Sequence, residues 1–162
     1  MAHGSLGEIE IVQNPGLGSV MIWKFGIGYQ TESGSVIPTL PLAFLVLPNV
    51  FHAPTLDAVL STRIASGLAL FAGKVGENRE SLLAIHARAL ALRTLSFQSI
   101  AVGAKVQLLS LDYSSASIRA NTRKIPPLPE RLRRLLTGSE RFGHWCARLS
   151  LAQISSLLRV DF

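Results

Sequence analysis

The stretch Thr94-Leu95-Ser96-Phe97-Gln98-Ser99-Ile100, continued by Val106-Gln107-Leu108-Leu109-Ser110-Leu111-Asp112, Tyr113-Ser114-Ser115 and Ala116-Ser117-Ile118-Arg119-Ala120-Asn121, changes its hydrophobic period part-way along. Thr94 can cap a helix carrying Phe97, Ile100, Ala101, Ala104 and Val106, which Gly103 weakens near its end. From Val106 onward apolar and polar residues alternate on either side of a short polar turn, the pattern of a two-stranded hairpin. Upstream, Leu82, Leu83, Ile85, His86, Ala89, Leu90 and Leu92 keep the spacing of an amphipathic helix beginning at Asn78, with Arg79, Arg88 and Arg93 toward its other side. Helix, short turn, helix and hairpin is the order of a winged helix-turn-helix unit. The expected fold is mainly α, with a winged helix-turn-helix-like core, a short β-hairpin wing and flanking helices.

The rest of the chain supplies those flanks. Residues 1–13 read as an N-terminal arm, and residues 14–162 as one winged-helix-like α domain. Asn14 and Pro15 suit a helix start, Asn as cap and Pro in the first turn, and the helix would run through Met21, Ile22, Trp23 and Phe25 until Gly26 and Gly28 weaken it. Leu42-Ala43-Phe44-Leu45-Val46-Leu47 is apolar on every face, which places it in a core or an interface. Thr55 and Asp57 open a helix reaching Leu60. Pro126, Pro127 and Pro129 close the hairpin region, Pro129 leads into a helix over Glu130–Leu149, and Ser150 caps a last short helix, Leu151–Leu158.

At 162 residues the chain holds one ordinary core, and 48% hydrophobic against 16% charged residues is a low charge content beside the roughly 25% of average soluble domains. Such a chain spans a membrane or covers apolar surface with other proteins. The charge-free run from Ser33 to Leu56 is long enough to span, but Pro38, Pro41, Pro48 and Pro54 interrupt it. The start, Met1-Ala2-His3-Gly4-Ser5, lacks a basic leader region. Protein partners and a cytoplasmic location are therefore expected. For the interface the sequence offers Trp23, Phe25, Tyr29, Phe44, Leu45, Leu47 and Phe51.

Chemistry-bearing residues are scattered. His3, His52, His86 and His144 show no metal-ligand spacing, Cys146 is a single cysteine, and His144 lies two residues from it, which points the two side chains apart on a helix. The glycines of Asn14–Gly18 and Gly26–Gly28 are not followed by the Lys-Ser/Thr pair of a phosphate loop. No catalytic, metal or cofactor site is expected.

Charge is distributed unevenly. Residues 1–81 carry four Lys/Arg against six Asp/Glu, net −2, whereas residues 82–162 carry twelve against four, net +8. Arg119, Arg123 and Lys124 fall on or just after the second hairpin strand, and Arg131, Arg133, Arg134 and Arg141 on the following helix, a surface suited to DNA phosphates or an acidic partner. The helix expected to read bases offers only Gln98 and Ser99, which is poor for a sequence-specific reader.

Asn14-Pro15-Gly16-Leu17-Gly18, Trp23-Lys24-Phe25, Gly28-Tyr29, Pro41–Pro48, the Thr94-Leu95-Ser96-Phe97 to Leu111-Asp112 block and Arg141-Phe142-Gly143-His144-Trp145 occur in this order. In that order they resemble the middle component of bacterial three-component ABC systems. The resemblance implies a non-catalytic adaptor of an SMC- or Rad50-like ATPase complex, in Lamassu-like defence against phage or plasmids. It implies partners in the ATPase subunit and an effector subunit, with double-stranded DNA reached through the complex and no membrane. Two other readings stand beside it: a free-standing winged-helix transcriptional regulator, and a small nuclease or hydrolase subunit, against which the scattered His and carboxylates speak.

Overall fold

The computed structural model describes residues 14–162; the expected arm at 1–13 lies outside them. Helix α1 (Pro15–Ser33) is followed by three short helices, α2 (Leu40–Ala43), α3 (Val46–Val50) and α4 (Ala53–Leu60), and a 3-10 turn at Ile64–Ser66. Then come α5 (Gly67–Gly76), α6 (Arg79–Ala91), α7 (Arg93–Lys105), strands β1 (Leu109–Asp112) and β2 (Ser117–Ala120), α8 (Glu130–Ala147) and α9 (Leu151–Leu158). The fold is mainly helical with one small antiparallel sheet.

Local signals place most of these boundaries. Asn14 Oδ1 accepts the Leu17 amide at 3.0 Å and Pro15 occupies the first turn of α1. Asn78 caps α6 through the Glu80 amide, and Ser150 and Gln153 form a reciprocal capping box on α9. The hairpin pairs Leu109 with Ala120 and Asp112 with Ser117, and Asp112 Oδ1 accepts the Ser114 and Ser115 amides in its turn. Thr94 is not a cap: α7 already starts at Arg93, and Leu92 alone separates it from α6. A helix-turn-helix has three or four residues at that point; here the two helices meet at a kink.

Helix α1 is the axis of the molecule. It makes its largest contacts with α8 and then α7, and buries Met21, Ile22, Trp23 and Phe25 among them. Gly26 and Gly28 do not end it; the helix runs seven further residues beyond Gly26 because these positions let neighbours come close. At the crossing with α8, a Cβ on Gly28 would lie 2.9 Å from the Glu140 carbonyl carbon, and one on Gly143 would lie 2.9 Å from the Tyr29 nitrogen. Backbone thus meets backbone, with the Phe25 and Phe142 rings packed beside the crossing at 5.8 Å between centroids. Tertiary contact outweighs glycine's poor helix propensity here.

The hairpin is fastened to α1 by side chains distant in sequence. Trp23 Nε1 donates to the Asn121 carbonyl at 2.8 Å, while Gln30 donates to the Ala120 carbonyl and accepts the Ala120 amide. Pro38 and Leu40 bond to Ile118 and Ala116 along the outer edge of β2. The apolar run expected at 42–47 is broken into short helices, with a bend of 102° between the 40–50 and 53–60 segments. Among the described residues no single helix is long and apolar enough to cross a membrane.

Candidate functional site

The structure separates the groups that could do chemistry. His52 Nδ1 faces Thr55 Oγ1, His86 Nδ1 accepts the Asp161 amide, and His144 bonds Glu32. Burial, with the Arg88 charge beside it, holds the His52 imidazole below its ordinary value. Cys146 is fully buried, and burial pushes its thiol far up, away from the reactive thiolate. Among the described residues no three His, Cys, Asp or Glu side chains come together as a metal site would need. Glu32 receives Arg148 and His144 together, and the Arg148 hydrogen bond chiefly holds its carboxyl below the usual range.

The seven basic residues expected to meet phosphate or an acidic partner divide into two kinds. Arg119 on β2, Lys124 beyond it, and Arg131 and Arg133 in the first turn of α8 are exposed. Arg134 is exposed and pairs with Asp57 at 3.0 Å, a surface pair worth about 0–1 kcal/mol that another anion can displace. Arg123 folds back onto Gln107, donating to its side-chain oxygen at 2.6 Å. Arg141 departs from the expectation of a free cation. Its Nη1 donates to the carbonyls of Val59, Leu60 and Thr62 at 3.2, 2.8 and 2.9 Å, closing the C-terminus of α4. A cation over these C-terminal carbonyls is favoured by the helix dipole as well.

The expected protein-interface residues are mostly core. Trp23, Phe25, Leu45 and Leu47 are at most 5% exposed and pack inside this chain, because the apolar 42–47 run folds against α1 rather than remaining on the surface. Tyr29, Phe44 and Phe51 are half-buried against the same core. Ser99, read as able to reach a base edge, is fully buried against Gly18 and donates to the Leu95 carbonyl. Gln98 remains exposed.

An apolar groove that the sequence reading missed lies beside Phe44. One cavity, of about 270 Å³, is lined by Leu40 and Phe44 from the α2 region, His86 and Leu90 from α6, Arg93, and the C-terminal residues Val160–Phe162. A second, of about 190 Å³, shares Leu40 and is bounded by Phe97 and Ile100 of α7 and by Leu111 and Tyr113 of the hairpin. The Phe44 and Phe97 rings stand edge to face at 4.7 Å between the two, with the Arg93 guanidinium 5.8 Å from the Phe97 ring. Leu90, Phe97 and Tyr113 are 59%, 48% and 87% exposed. The spacing of Leu90 and Phe97 in sequence resembles that of core residues, and only the tertiary packing shows that they are left outside, whereas Tyr113 stands in the hairpin turn.

The family model described as ABC-three component (ABC-3C) system Middle Component 3 matches residues 5–162. The chain belongs to this family. As a middle component it works with other subunits, and the position it holds in such a system is not that of the ATPase. No curated protein and no solved structure matches the chain. Two features stand out as candidates on this middle component: exposed basic residues on the hairpin and at the start of α8, and the apolar groove between α6, α7 and the hairpin.

Proposed function

We propose that this middle component is a non-catalytic adaptor, linking an SMC- or Rad50-like ATPase to an effector and to DNA in defence against phage or plasmids, in the cytoplasm. Residues 14–162 act as one unit, and the hairpin after α7 serves as its wing, with a kink at Leu92 in place of a helix-turn-helix turn. The observation that carries the DNA contact is the exposed trio Arg131, Arg133 and Arg134 in the first two turns of α8. Arg131 and Arg133 lie near the positive end of the helix dipole with no salt-bridged carboxylate among the described residues, and Arg134 holds only the exposed Asp57, so an added anion is favoured there. Arg119 and Lys124 are exposed as well, and phosphate contact of this kind positions a protein without reading sequence. Buried Ser99 leaves α7 with Gln98 alone toward base edges, which favours the adaptor over a free-standing transcriptional regulator.

In the test, Arg131, Arg133 and Arg134 are replaced together by Glu in the complex assembled from all three components. Retention on double-stranded DNA falls and its salt dependence flattens, while assembly stays intact. Retention equal to that of the unaltered complex at every salt concentration refutes the phosphate contact.

A further inference from the structure

The groove has the features of a docking site for one particular kind of element. Its two cavities, about 270 and 190 Å³, fall below the roughly 300–1,000 Å³ of small-molecule sites and suit single large side chains. The walls are almost wholly apolar and offer few hydrogen-bonding groups, so an occupant must satisfy its own backbone, as a helix does and an extended strand does not. Arg93 lies at the junction of the cavities, exposed, stacked by Phe97, and without a carboxylate partner among the described residues. The other charged or titratable groups along the groove are His86, whose ring accepts the Asp161 amide, Asp161 itself at one end, and at the other the Tyr113 phenol and Asp112, the latter turned into its own loop. At the centre the field is that of Arg93.

Resting on the adaptor reading, we propose that this groove receives an amphipathic helix of another component of the same system. Two large apolar side chains of that helix fill the cavities, and a carboxylate between them meets Arg93. A second copy of this chain is a poorer occupant. Among the described helices only α6 exposes two large apolar residues near a carboxylate (Leu83, Leu90 and Glu80), and α6 is already a wall of the groove.

The test uses the full chain, alone and assembled with the other two components. Hydrogen exchange in the complex is expected to slow at residues 86–97 and 111–117. Leu90→Asp, at a 59% exposed position, is expected to weaken assembly about 30-fold or more with an unchanged melting midpoint. Arg93→Glu is expected to weaken it about tenfold at low salt and less at high salt, with recovery when the facing carboxylate of the partner is changed to Lys. Assembly of both variants with unaltered affinity overturns the groove while leaving the adaptor reading in place. So does a dimer of the isolated chain that Leu90→Asp disperses. Failure of the unaltered components to assemble overturns both.

Discussion

The crossing of α1 and α8 gives the sharpest test of what holds this molecule together. Gly28 and Gly143 lie on the two helices where each approaches the other's backbone; an added methyl would collide with a backbone carbonyl oxygen, that of Glu140 or of Phe25, and lie 2.9 Å from a second backbone atom. Carbon contacts are comfortable at about 3.5–4.0 Å and the carbonyl oxygens lie closer still, so Gly28→Ala or Gly143→Ala forces the helices apart by about 1 Å or more. Neither neighbour can yield by rotating a side chain. Overpacking of this kind costs about 1–3 kcal/mol, against which Ala returns up to about 1 kcal/mol of helix propensity. A net loss of about 1–2 kcal/mol corresponds to a fall of about 2–8 °C in melting midpoint for a chain of this size. Gly73→Ala in α5 is the control, since nothing lies within 4 Å of its would-be Cβ. Propensity alone acts there, and the midpoint rises. Thermal and urea unfolding followed by circular dichroism read both effects. The double variant Gly28→Ala/Gly143→Ala loses less than the sum of the singles, because the first substitution opens the crossing that the second also needs. An unchanged or raised midpoint for either single variant refutes close backbone approach as the basis of the core.

Arg141→Met removes the guanidinium that closes α4 and leaves three carbonyls without it; a loss of about 1.5–3 kcal/mol in urea unfolding is expected, and a loss below about 0.5 kcal/mol contradicts the role. Glu32, held below its usual carboxylate range chiefly by Arg148, contributes stability above the unfolded-state value that disappears as pH falls through the lower folded-state value. Between those two values the unfolded chain binds more protons, so stability rises with pH, and Glu32→Gln flattens the acid limb of a stability-against-pH curve; an identical limb in the variant refutes the linkage.

Which parts of this protein are legible in its residues depends on how far apart the interacting groups lie along the chain. Asn14 with Leu17, Asn78 with Glu80, Ser150 with Gln153 and the Asp112 turn all close within three residues, so local stereochemistry writes them into the sequence. The hairpin's period of two, the helix after Pro129 and the family relationship were legible in the same way, as order and spacing. Other assignments needed the tertiary structure. Gly26 and Gly28 read as helix breakers, yet they are contact points, because what a missing Cβ does depends on a neighbour more than ninety residues away. Arg141 read as one more cation of a basic run and instead caps carbonyls some eighty residues upstream. The 42–47 segment read as apolar on every face, with Phe44, Leu45 and Leu47 expected at an interface; packing within the chain puts Leu45 and Leu47 in the core and leaves Phe44 half-buried. The tertiary packing also left Leu90 and Phe97 outside. Capping and strand alternation are set by bonds between near neighbours, whereas burial is shared by every element that meets at a point, and no stretch of sequence contains that information by itself.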